Sequence, residues 1–209
     1  MSPRPRTVSD AKILEAVSRA MSRVSPAKLT LAEVARDAGL SPATLVQRFG
    51  SKKGLLLALW RGALESIDRC FKGVREVCAS PSEALVAVAT MMTEHTRTPE
   101  EMANHLAYLQ MDLSDPDFHR HILEHSRRIE AGYRALLDEA IAARELRPCD
   151  TARLARAIAA MSAGSLLGWA VYREGPAKSW VTHDLRTLLD PYRVGAGPGD
   201  VPTHAAASR

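Results

Sequence analysis

Ser51, Lys52 and Lys53 stand together at the predicted start of a helix. They close the stretch GLSPATLVQRFGSKKG (39–54), which holds three cations and no acid. Helix-terminal amides already carry about half a positive charge, so lysines there are locally unfavourable. A bound phosphate reverses the sign, because amides, dipole and ammonium groups converge on one anion. The chemistry on offer is anion binding at a helix terminus. Just upstream, Gln47 has an amide that can pair with adenine, and Thr44 can meet a thymine methyl or a phosphate.

Other candidate chemistry is thin. His121 and His125 lie at i, i+4 and could share a metal, with His119 nearby. No obvious third ligand completes the set, and Arg120, Arg127 and Arg128 surround the histidines, which favours a solvated face. No Gly-rich phosphate loop, nucleophile elbow or zinc-hydrolase motif is present. Neither a metal nor a cofactor is expected, nor is enzymatic activity. Cys70, Cys78 and Cys149 are too few for a disulfide framework and suit a reduced, cytoplasmic protein.

The elements that must position these groups are all helical. No segment alternates as a half-buried strand does, and the fold class expected is all-α, with about nine helices. An apolar stripe (Ile13, Leu14, Val17, Ala20, Met21, Val24) marks a helix from about Asp10 to Val24. Thr30 with Glu33 forms a capping box for a helix over Leu31–Ala38, which Gly39 stops. Ser41 caps the next helix and Pro42 takes its first position. Two short helices joined by Gly39-Leu40-Ser41 are the signature of a helix-turn-helix.

At about 100° per residue, Leu45 and Phe49 of the second helix face the core. Ala43, Thr44 and Gln47 lie opposite, with Val46 and Arg48 on the flanks. Beyond the pair, the pattern predicts a long helix over Leu55–Cys78, helices opening at Pro81, Pro99 and Pro116, one over Thr151–Tyr172, and one over Ala177–Asp190. The uncharged run Ala157–Tyr172 spans sixteen residues. That is short of the ~20 a membrane span needs, and it reads as a buried helix.

Charge is divided unevenly along the 209 residues. Residues 1–58 hold ten Lys and Arg against four acids; the remainder holds eighteen against twenty. A polyanion-binding head joined to a domain that binds no polyanion fits that asymmetry.

Ile13-Leu14-Glu15-Ala16, Leu31 to Ser41, Thr44-Leu45, Phe49 and Ser51-Lys52 closely resemble the DNA-binding region of the TetR family of transcriptional regulators. The resemblance covers about residues 10–60. It implies a helix-turn-helix head, a helical effector domain and dimerisation through the last two helices. Carried onto this chain, it implies DNA contacts from Thr30, Ser41, Pro42, Ala43, Thr44, Val46, Gln47, Arg48, Lys52 and Lys53. The family usually has an aromatic, most often Tyr, at the position of Val46. Valine has no hydrogen bond to give, so that phosphate contact is not implied here. Arg4 and Arg6 admit two readings, an arm in or near the minor groove or a disordered terminus.

The expected domains are a DNA-binding head at 1–54, a ligand-binding and dimerisation domain at 55–193 and a disordered tail at 194–209. The expected partners are a palindromic double-stranded DNA operator, a second copy of the chain, and a largely apolar small-molecule effector of unknown identity. No membrane partner is expected. Candidate effector contacts are Met91, Met92, His95, His105, Tyr108, Gln110, Ser165 and Trp169, polar or soft groups on apolar helices. Gly164 and Gly168 would let another helix approach. Together with Trp180, Leu185, Leu188 and Leu189 they mark a candidate dimer interface, against the alternative of packing inside one subunit. The favoured function is repression released by a small molecule. Two alternatives stand beside it: a regulator without such an effector, and a helical enzyme or scaffold with non-specific nucleic-acid binding.

Overall fold

The computed structural model describes residues 8–195, apart from His95. Among the described residues there are nine α-helices, two short 3-10 turns and one isolated bridge, Leu146 to Arg193. The chain begins with α1 (Asp10–Arg23), α2 (Leu31–Ala38) and α3 (Pro42–Phe49). Side-chain caps start each of them: Ser9, Thr30 and Ser41 accept from Lys12, Glu33 and Thr44 N–H. Gly39 ends α2 at φ 67°, a left-handed conformation that costs glycine little.

The remaining helices are α4 (Lys52–Val77), α5 (Pro81–Met91), α6 (Pro99–Ser114), α7 (Pro116–Ala142), α8 (Thr151–Tyr172) and α9 (Ala177–Leu189). Proline at the first position of α6 and α7 sits where a missing N–H costs nothing. Thr98 and Asp115 accept the amides behind it.

Two cores hold the molecule. One joins α4, α5, α7, α8 and α9 through Phe71, Leu85, Leu136, Leu137, Ile158, Val181 and Leu185. The other lies under the head, where Ile13, Val17, Val34, Leu45 and Leu55 meet Tyr108 of α6 and Phe118 of α7. The head's core therefore crosses residue 54 and borrows side chains from the second half of the chain. α8 is the one described helix long and apolar enough to cross a membrane by length and composition. Here it packs against α7 and α9, with Leu154, Ile158 and Leu166 in the core.

Candidate nucleic-acid interface

Leu45 sets the orientation of α3: it is fully buried, and Phe49 is half-buried beside it. Pro42, Ala43, Val46 and Gln47 consequently face outward, Val46 at 47% exposure. The Gln47 amide has no partner among the described residues and is open to solvent. Thr44 is half-buried, its hydroxyl 2.9 Å from Ser41 Oγ, which also accepts the Thr44 amide at 3.2 Å. Thr30 is exposed and completes its capping box with Glu33.

The cations behave differently from the sequence-based expectation. Lys52 donates to the carbonyls of Pro26 and Leu29 at 2.7 and 2.8 Å. Lys53 pairs with Asp115 at 2.8 Å and Asp117 at 2.9 Å. Hydrogen bonding to those carboxylates raises the Lys53 pKa and holds both acids below the usual range. Arg48 donates to the Val8 carbonyl at 2.5 Å and pairs with Asp10 at 2.7 Å. The dipole penalty at the start of α4 is thus offset inside the molecule, by acceptors that helical periodicity does not reveal.

Exposed side chains of Lys12, Arg19, Lys28 and Arg36 carry no ion pair among the described residues. Sequence reasoning passed over them. A signal existed for Arg36: its neighbour Glu33, three residues earlier, is engaged in the capping box, and Asp37 pairs with Arg23. Lys28 sits on the loop that Lys52 ties to the start of α4. Arg4 and Arg6 lie outside the described residues.

The candidate effector residues that are described are not gathered round one cavity. Tyr108 belongs to the head's core, where burial pushes its unpartnered hydroxyl up to about 12. Trp169 is in the other core and donates to the Gly175 carbonyl at 3.0 Å. Ser165 donates to Asp184 at 2.5 Å, and Thr96 Oγ1 lies 3.0 Å from His105 Nδ1. Gln110 is exposed, and Met91 faces Cys70 at 37% exposure. His95 and the Met92 side chain lie outside the described residues. Two open grooves, of about 480 and 350 Å³, are lined by other residues.

The dimer candidates divide. Leu185 and Leu189 are 0% and 6% exposed and lie in their own subunit's core. Helix α9 is apolar on more than one side, so periodicity alone does not separate its inward leucines from outward ones. Trp180 and Leu188 are half-buried, and a Cβ at Gly168 would touch the Trp180 ring at 3.4 Å. Gly164 faces open space, next to exposed Leu167 (43%), Val171 (69%) and Tyr172 (66%).

Asp112 escaped sequence reasoning, and His125, expected on a solvated face, is half-buried. Asp112 is 2% exposed and accepts Trp60 Nε1–H at 3.1 Å; burial pushes its carboxyl up to about 6. His125 stands edge-on to the same indole at 5.5 Å, and burial lowers its pKa. No group of three potential metal ligands exists among the described residues.

Residues 13–59 match the bacterial regulatory proteins of the tetR family. Residues 81–192, more than half the chain, match the BetI-type transcriptional repressor C-terminal domain. The HTH-type transcriptional regulator BetI of Agrobacterium fabrum is 29% identical over 73% of this chain and 72% of its own length. Among solved structures, a TetR transcription regulator from Haloarcula marismortui aligns with TM-score 0.72 at 17% identity, over 88% of this chain and 98% of that one. FadR from Bacillus subtilis in complex with stearoyl-CoA aligns with TM-score 0.66 at 16% identity, over 87% and 98%.

Proposed function

The chain belongs to the tetR family of bacterial transcriptional regulators, and from that premise we propose that it is a cytoplasmic homodimeric repressor that binds a palindromic DNA operator and is released by a small molecule. The outward face of α3 carries this reading. A short, doubly capped helix, pinned by Leu45, presents small Ala43 and an unpartnered Gln47 amide to solvent. Insertion in the major groove would place Gln47 against base edges, with Thr44 alongside it.

Phosphate contacts flank that face. Lys28, Arg36 and the exposed Thr30 supply them, together with the caps and amides at the starts of α2, α3 and α4. The lysines of α4 serve this surface indirectly, by fixing the loop and corner around it. The second copy packs on the open face of α8 at Gly164, Leu167 and Val171, with Trp180 and Leu188 at its border.

The effector would be largely apolar, held in the bundle that forms the second core. The fold-mate FadR, crystallised with stearoyl-CoA, shows an apolar-tailed molecule bound by a protein of this fold. Regulation without any small molecule is the second reading. One observation favours it: the described members of the predicted effector set line neither of the two grooves.

Selection of duplexes from a random pool tests the DNA reading. The expected product is an inverted repeat bound by one dimer; an unsymmetrical or sequence-independent product would contradict it.

A further inference from the structure

Lys53 opens α4 only four residues after α3 ends, yet its ammonium is held by two acids from the far half of the chain. Asp115 ends α6 and caps α7, and Asp117 lies in the first turn of α7. Under the ion pair, the Phe118 ring lies 5.7 Å from the ammonium and is buried in the head's core. Tyr108 of α6 enters the same core. Asn104, one turn earlier, donates to the Ser22 carbonyl of α1 at 2.9 Å. The α6–α7 corner therefore grips the head at α1, at α4 and through the core between them.

Further along, α7 carries Tyr133, Leu136 and Leu137 into the second core, which also holds α8 and α9. The corner and the proposed dimer face thus belong to one packed body. A head attached by α4 alone could swing as that helix bends. The grip at the corner opposes that motion.

We propose that Lys53 is a positioning residue and not a phosphate ligand: it locks each head to the α6–α7 corner and so sets the half-site spacing that the dimer accepts. With Arg120 paired to Asp117 at 2.5 Å, two cations meet two carboxylates, so the cluster is near neutral and Lys53 has no uncompensated charge to offer an incoming phosphate. The inference rests on the reading of the chain as a twofold DNA binder.

The test uses full-length protein and duplexes bearing two copies of the half-site that the parent selects. Their separation is the selected one or differs from it by one or two base pairs. Lys53→Gln, and Asp115→Asn combined with Asp117→Asn (which keeps an N-cap acceptor), should each flatten the spacing preference by roughly two- to fivefold. Lys53→Arg should restore it. Binding to a single half-site and its salt dependence should stay as in the parent. A salt slope reduced by about one ion per head in Lys53→Gln, with uniformly tighter binding in the double Asn variant, would make Lys53 a phosphate ligand and overturn the proposal. An unchanged spacing profile in both variants would overturn it too. If the parent selects no duplex, the DNA reading fails first and the clamp's function falls with it.

Discussion

Asp112 shows what one residue contributes against the fold. It is a carboxyl in the seam between α4 and α6, with a single N–H donor, raised by burial from 3.8 to about 6. A raised acid favours the folded state only while protonated. Relative to this group, stability is greatest below about pH 4, falls as pH rises toward 6, and stays reduced above it. Asp112→Asn keeps an acceptor for Trp60 and removes the charge. It should stabilise the protein by on the order of 1–3 kcal/mol at pH 8 and by almost nothing at pH 4. Urea unfolding at the two pH values measures this, and an equal gain at both would contradict a titrating, buried carboxyl. Lys28 is the second residue-scale case. With no ion pair among the described residues and a place beside the start of α4, Lys28→Ala should weaken all duplexes alike and lower the salt slope by about one per head. Lys52→Ala should leave that slope unchanged, because its ammonium holds two carbonyls.

Elements are where the sequence was most legible. Local chemistry decides a helix end: Thr30 and Ser41 cap as predicted, and Thr98, Asp115 and Asp150 cap the helices that open at Pro99, Pro116 and Thr151. The predicted helix over Ala177–Asp190 ends one residue sooner, at Leu189. The helix predicted to open at Pro81 ends at Met91 and passes into a 3-10 turn over Met92–Glu94. What was illegible is tertiary. The partners of Lys52 lie 23 and 26 residues away and those of Lys53 lie 62 and 64 away, so no local pattern announces them. Gly54 has a similar hidden constraint. A Cβ there would collide with the Phe49 carbonyl oxygen, because α4 starts directly against the end of α3. Gly54→Ala should therefore cost roughly 1–3 kcal/mol in thermal or urea unfolding and weaken DNA binding with it. A neutral substitution would mean the α3–α4 corner relaxes freely and does not fix the reading helix.

At the scale of the whole molecule, the core under the head reaches past residue 54, the expected end of the DNA-binding head. Tyr108 and Phe118 tie the head's core to α6 and α7, so head and bundle share one seam. A dimer then needs only one self-complementary face to place two heads, and the exposed apolar side of α8 offers it. Leu167→Glu with Val171→Glu should give a folded monomer by sedimentation that keeps half-site binding and loses most of its preference for the inverted repeat; a persistent dimer would move the interface elsewhere. The central claim, that α3 reads base pairs as half of a twofold binder, is tested most directly by selecting sites from random duplexes with the parent and with Gln47→Ala. The parent should return an inverted repeat. The variant should return the same repeat with preference relaxed by roughly 1–3 kcal/mol at one symmetric pair of positions. An identical pattern from both proteins, or a site with no twofold symmetry, would contradict it.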